Sequence, residues 1–279
     1  TNNVKGGDGN DFAIVAGQAP AGGGGGGGGG RGGGGSVGLY KSIDAGDHWF
    51  LVVRGLDGRG TRSADNRPLA RIGGGDLPTL TIDPKNDNVI YAGTSDGDLF
   101  RSDNAGATWR ATYRVAGIRI MNIAVDPRDS SLVYAASWGS GVLKSTDGGA
   151  SWISNRKPFK DFDKARFPRA VVLDPHVANR IYLISGFGIL RSDDAGASWT
   201  PLTITSPNNT LDVRALAVHP QDSQKLVYTT NTSIAFSSDG GGTWTNRKLP
   251  TGRGTSFVLF DGGDKPSIFV GALPAVVKK

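Results

Sequence analysis

The chain has 279 residues, 37% of them hydrophobic, enough for one large repeat domain or two ordinary ones. Cysteine is absent, which excludes disulfides, thiolate metal sites and a cysteine nucleophile, and no apolar run reaches the roughly 18 residues that span a bilayer. The net charge of +6 suits an acidic partner, and all 25 acidic residues are aspartate, a residue of turns and caps rather than helices, so the composition leans to strands and turns.

In chain order, Thr1 in place of an initiator Met reads as a processed or trimmed chain. Residues 1–16 form a worn first half-unit, with Ala13-Ile-Val-Ala-Gly17 in the place of a second strand. Gly6-Gly-Asp-Gly-Asn-Asp11 matches one calcium-binding nonapeptide, but such sites need stacked copies, so no metal or cofactor is assigned. Gly22–Gly35 is all glycine apart from Arg31 and reads as a flexible surface loop. It lacks the Gly-Lys-Ser/Thr and the following helix of a phosphate loop.

A unit then repeats. First strands end in a turn at Leu80-Thr-Ile-Asp-Pro84, Ile123-Ala-Val-Asp-Pro127, Val171-Val-Leu-Asp-Pro175 and Leu216-Ala-Val-His-Pro220. Second strands follow at Val89-Ile-Tyr-Ala-Gly93, Leu132-Val-Tyr-Ala-Ala136, Arg180-Ile-Tyr-Leu-Ile184 and Leu226-Val-Tyr-Thr-Thr230. Third strands such as Gly141-Val-Leu-Lys-Ser145 and Gly188-Ile-Leu-Arg-Ser192 run into a box of the form Ser-x-Asp-x-Gly-x-Ser/Thr-Trp. Five boxes occur: Ser42–Trp49, Ser102–Trp109, Ser145–Trp152, Ser192–Trp199 and Ser237–Trp244. His48 replaces Ser/Thr in the first, and Asn104 replaces Asp in the second. Ser256-Phe-Val-Leu-Phe-Asp261 and Ile268-Phe-Val-Gly-Ala272 open a sixth unit, and Val276-Val-Lys-Lys279 stands in its third-strand place.

The box suits a hairpin. Asp44, Asn104, Asp147, Asp194 and Asp239 can accept turn N–H groups, the glycine permits a positive φ, and Trp49, Trp109, Trp152, Trp199 and Trp244 can start the next strand and pack between units. All ten residues read as structural. The box tryptophans fall 60, 43, 47 and 45 residues apart, close to the 40–45 of a four-stranded blade. These boxes resemble the Asp-box, or BNR, repeat found in sialidases, family 74 xyloglucanases, sortilin-type VPS10 domains and Ycf48-type photosystem assembly factors. The resemblance implies an all-β fold, a single β-propeller domain of four-stranded blades. Six blades are expected (seven if the native chain is longer), at about 1–54, 78–114, 120–156, 168–204, 213–248 and a partial 255–279. The three histidines never form a spaced pair, and His219, standing for Asp in a turn, reads as structural.

Function is sought in the loops. Propeller topology puts the boxes and Asp-Pro turns on one face, and the blade connections and second-to-third strand loops on the other. Seventeen of the 31 basic residues fall in the connections: Arg54, Arg59, Arg62, Arg67 and Arg71; Arg110, Arg114 and Arg119; Arg156, Lys157, Lys160, Lys164, Arg166 and Arg169; and Arg247, Lys248 and Arg253. Only Asp57, Asp65, Asp161 and Asp163 oppose them. Arginine's planar fork suits carboxylate or phosphate. Trp138 lies in a second-to-third strand loop, where it would anchor an interface, stack on a sugar ring or be buried.

Sialidases pair a tyrosine nucleophile with glutamate, and glutamate is absent here, so the sequence argues against that activity and assigns no catalytic residue. Family 74 enzymes use two aspartates across a cleft between two propellers, whereas this chain holds one at most. The expectation is therefore an exported, non-catalytic scaffold or accessory protein docking an acidic protein or polyanion on the Arg-rich face. The alternative is a carbohydrate-active or carbohydrate-binding propeller. DNA binding is not favoured, because no aromatics interleave the basic loops.

Overall fold

A computed structural model of the chain describes residues 2–4, 12–18, 37–42, 48, 50–53, 79–114, 118–162, 164–204, 212–249, 255–260 and 267–272. The Gly-rich segment 22–35, Asp44 and Trp49 of the first box, and Arg54, Arg59, Arg62, Arg67, Arg71 and Arg253 lie outside the described residues.

Strands follow one another in antiparallel sheets whose order is their sequence order. The first sheet holds β1 (Asn2–Val4), β2 (Phe12–Gln18), β3 (Val37–Ser42) and β4 (Phe50–Val53). The second holds β5 (Thr79–Asp83), β6 (Asn86–Gly93), β7 (Asp98–Ser102) and β8 (Arg110–Arg114). The third holds β9 (Arg119–Val125), β10 (Val133–Trp138), β11 (Gly141–Ser145) and β12 (Ile153–Asn155). The fourth holds β13 (Pro168–Leu173), β14 (Ile181–Ser185), β15 (Gly188–Ser192) and β16 (Thr200–Pro201). The fifth holds β17 (Ala215–His219), β18 (Asp222–Thr229), β19 (Ser233–Ser237) and β20 (Thr245–Lys248), and a two-stranded sheet pairs β21 (Thr255–Phe260) with β22 (Ile268–Ala272). Among the described residues the one helical turn is a 3-10 helix at Lys157–Phe159. These sheets are the blades that the repeats predict.

Contacts gather the chain into two compact units, Thr1–Ile120 with Gly149–Ser151, and Met121–Gly148 with Trp152–Lys279. In the second unit Trp199 and Trp244 pack against the preceding sheet. Trp199 is buried with Tyr134, Ala136 and Val142 of the third sheet and Val171, Ile181 and Leu190 of its own. Trp244 packs edge-on to Tyr228 at 4.7 Å, beside a cluster that includes Tyr182, Ile184 and Ile189.

The tyrosine of each second strand is fully buried, at positions 91, 134, 182 and 228. Across the ladder Tyr91 faces Arg101, Tyr134 faces Lys144 and Tyr182 faces Arg191. The cation lies over the ring at 5.9 Å for Tyr91 and 5.8 Å for Tyr134. Burial pushes the Tyr91, Tyr134 and Tyr182 hydroxyls up to about 12, because the phenolate would be charged in an apolar surround.

The box turns close by one scheme. The serine hydroxyl at the end of the third strand donates to the side chain two residues on, at 3.0 Å for Ser102 to Asn104 and 2.7 Å for Ser145 to Asp147, Ser192 to Asp194 and Ser237 to Asp239. The same hydroxyl accepts the glycine N–H four residues on, from Gly106, Gly196 and Gly241 at 2.8–2.9 Å. The carboxylate accepts the N–H and hydroxyl of Ser198 or Thr243. In the Asn104 box the polarity reverses: the amide donates to Thr108 Oγ1 at 2.9 Å, which is why the substitution is accommodated. Thr243, followed by Ser237, holds the Asp239 carboxyl well below the usual range. For Asp194 burial works the other way, and bonds from Ser198 and Ser192 outweigh it.

Each of the four described boxes then docks on the first turn of its own sheet through one backbone bond, such as Gly148 N–H to Ser131 O at 2.9 Å or Gly240 N–H to Gln224 O at 2.9 Å. In those first turns Asp83, Asp126 and Asp174 accept the N–H two residues on, each at 2.9 Å. His219 does the same with Nδ1, accepting from Gln221 N–H at 3.1 Å, so it is structural as its place implied.

Two predictions follow from this frame. The residue before the box glycine is left-handed, with φ +53° at Ala105 and +71° at Gly240. Ala105→Gly should raise unfolding stability by about 0.5–1 kcal/mol, and Gly240→Ala should lower it by about 1 kcal/mol, both read by denaturant melts. The tyrosines set an alkaline limit. Their folded pKa lies above the unfolded value of about 10, so their contribution is complete below pH 10 and is lost as pH rises towards 12. The Tyr182 hydroxyl has no partner. Tyr182→Phe should therefore shift stability at pH 7 by less than about 1 kcal/mol and make the loss between pH 10 and 12 shallower.

Candidate functional site

The connection from β12 to β13 carries the densest positive charge. Arg156, Lys157, Lys160, Lys164 and Arg166 are all exposed, against Asp161 as the described carboxylate in that stretch. Among the described residues no carboxylate pairs with any of these five.

The loop is a built structure. Pro158 opens the 3-10 helix, and short-range bonds carry the chain onward, Phe162 N–H to Phe159 O at 3.3 Å, Ala165 N–H to Phe162 O at 3.1 Å and Phe167 N–H to Lys164 O at 3.1 Å. Two apolar pegs hold it. Phe159 is buried against Trp199 at 5.5 Å, and Phe162 meets Phe187 edge-on at 5.3 Å. Lys164 is left-handed, at φ +64°, and its Cβ would crowd any side chain at Gly186.

On the other side the loop clasps the β10–β11 hairpin. Arg166 O accepts the Gly139 N–H at 2.8 Å, and Trp138 tilts on Phe167 at 5.3 Å. Arg166 lies over the Phe167 ring at 4.9 Å. Trp138 is 43% exposed, so it stands free beside the cations rather than in the core.

Arg156 lacks the acid that engages the matching arginine of the second sheet. In the second sheet Arg114, at the end of the fourth strand, sends two bonds to Asp98, at 2.7 and 3.1 Å. The register puts Gly141 at the corresponding place in the third sheet. It has φ +79°, and an added Cβ would lie 2.6 Å from the Phe159 ring. No acid fits there, and Arg156 instead donates to the Ser140 hydroxyl at 2.6 Å.

The other predicted basic residues are dispersed. Arg110 opens β8 beside its box, 3.4 Å from Asp103, at the opposite end of the sheet from the connection, because the fourth strand begins directly after Trp109. Arg114 is engaged by Asp98, as above. Arg119 is exposed at the start of β9. Arg169 and Arg214 share Asp212, at 2.9 and 2.6 Å, with Asn231 donating to it at 2.6 Å. Burial, and then Arg214, lowers the Arg169 pKa. Arg247 and Lys248 are exposed on β20, with Arg247 over Phe236 at 5.5 Å. The residues that sequence reasoning missed are Phe159, Phe162, Phe167 and Gly141; the available signal was a phenylalanine at every turn of an otherwise basic connection.

Gly141→Ala should dislodge Phe159 and with it the basic loop. A stability loss of about 2 kcal/mol or more is expected in denaturant melts, together with new protease cuts between 156 and 167.

No curated protein matches the sequence. A family model for sortilin, neurotensin receptor 3, matches residues 140–251. Among solved structures, an ancestral GH74 enzyme is 22% identical with a TM-score of 0.65, covering 85% of this chain and 32% of its own. A YCF48 structure bound to a D1 peptide is 20% identical with a TM-score of 0.57, covering 85% of this chain and 69% of its own. Sqt1 of Saccharomyces cerevisiae is 11% identical with a TM-score of 0.60, covering 85% of this chain and 62% of its own. The chain thus spans about a third of the GH74 enzyme. The repeated four-stranded sheets and these likenesses together show a β-propeller fold, and residues 140–251 are similar to the sortilin family.

Proposed function

We propose that this protein is an exported, non-catalytic propeller scaffold that docks an acidic protein surface through its 156–167 loop and Trp138. The observation that carries this reading is the convergence of uncompensated cations with an exposed tryptophan on one rigid loop. Aromatic and arginine side chains at the centre of a polar surface are the usual anchors of protein interfaces. A solved propeller of the same fold, YCF48, is bound to a D1 peptide, which shows that the fold can take a protein ligand. The aspartates support a scaffold as well. Asp98, Asp126, Asp193 and Asp212 are held by arginines. Carboxylates so engaged are poorly placed to act as acid and base.

A second reading, carbohydrate binding, rests on Trp138, whose exposed ring could stack on a sugar, and on the GH74 likeness.

The test is affinity co-purification from the native source with the natural chain and with Arg156, Lys157, Lys160 and Lys164 all changed to Ser. A protein partner recovered at about 0.05 M salt and lost at about 0.5 M, or lost with the variant, is the expected result. Identical recovery by both chains in both salts would sink the reading, and binding on a glycan array that needs Trp138 would favour the second.

A further inference from the structure

An open pocket of about 330 Å³ lies in the second unit, between the edge strand β12 and the box turn of the fourth sheet. That volume is at the small end of ligand sites, roughly 300–1,000 Å³. Its apolar wall is Tyr134, Val142, Phe159 and Ile153, and its polar side is Lys144, Ser154 and Asn155. No carboxylate lines it. Lys144 reaches across to the Ala195 carbonyl at 3.2 Å, which fixes a positive charge on the wall.

Three features make this more than a crevice. Ile153 is 67% exposed, an unusual position for a large aliphatic side chain in a strand. β12 is three residues long, all exposed, and among the described residues no strand pairs with its outer side. Its outward N–H and C=O groups are therefore a template for an added strand. Finally, the pocket is continuous with the basic loop: Phe159 belongs to both, and Asn155 leads directly to Arg156 and Lys157.

We infer that the groove beside β12 binds an extended peptide by strand addition, with an apolar side chain in the pocket and acidic residues running onto Arg156 and Lys157. The inference rests on the reading of the basic loop given above and adds what the partner must look like. β11 and β12 are antiparallel, and a strand added in the same sense keeps the stronger ladder. β12 runs towards Arg156, so an antiparallel partner passes the cations first and reaches the pocket afterwards. The partner's acidic residues then precede its apolar anchor by two to four positions, at about 3.3 Å per residue.

The probe is a fluorescein-labelled peptide, Asp-Asp-Asp-Thr-Leu-Thr-Val, titrated with the full-length chain by fluorescence anisotropy. Ile153→Asp and Ser154→Pro should each weaken binding about tenfold or more, as should a peptide with Leu changed to Ser. Both substituted positions are exposed, and circular dichroism checks that the sheets persist. Lys157→Ser with Lys160→Ser should weaken binding and flatten its salt dependence. No binding by the natural chain, or unchanged binding by Ile153→Asp, would overturn the inference. If only the lysine variant loses the peptide, the basic loop docks acids without the groove, and the broader reading survives alone. If only Ile153→Asp loses it, the acidic half of the recognition is wrong and the basic-loop reading falls with it.

Discussion

The serine hydroxyl at the end of each third strand is the hinge of this architecture. It donates to the aspartate or asparagine two residues on and accepts from the glycine four residues on, so a single oxygen closes the turn from both sides. The closed turn then presents one N–H to the first turn of the same sheet, as Ala195 does to Asn179 O at 2.8 Å. Strands one and two are thereby locked to strands three and four at one end. With that end fixed, Trp199 and Trp244 point at the preceding sheet, where Trp199 helps to form the core.

The opposite end of each sheet is free to vary, and the basic loop exploits that freedom through an exchange. The second sheet spends its hairpin tip on Asp98, which neutralises Arg114. The third sheet has glycine there and uses the room for Phe159. The phenylalanine anchors the loop, and the missing acid leaves Arg156 with only a hydroxyl. Anchoring and charge are thus two results of one substitution, glycine in the place of an acid.

How much of this could be read from the sequence depends on the range of the interactions. The box residues were legible because serine, aspartate and glycine at that spacing satisfy each other within four positions, and His219 was legible because it stood in a repeated place. The burial of the second-strand tyrosines fits their place in short, continuous apolar runs that are buried on both faces. The charge bias of the connections was visible, but the partners were not. Asp98 lies 16 residues from Arg114, and Asp212 lies 43 from Arg169, so only the folded register reveals that these cations are engaged. Arg110 was counted with the connection, although the box tryptophan before it marks the start of the fourth strand, and the structure places it at that strand's first position. Whether Trp138 is exposed or buried was not legible, and its contact with Phe167 is encoded by no repeat motif.

The self-sufficiency of the box turn also bears on how such a protein can change over time. The bonds that close it begin and end within a few residues, and its dock is on its own sheet, so the turn asks nothing of the segment that leads to the next sheet. A connection can therefore gain a helical turn, as 156–167 has, while the box downstream keeps its geometry. Binding surfaces can be grafted onto one end of a sheet without renegotiating the other. Recognition in this chain is free to drift while the frame stands still.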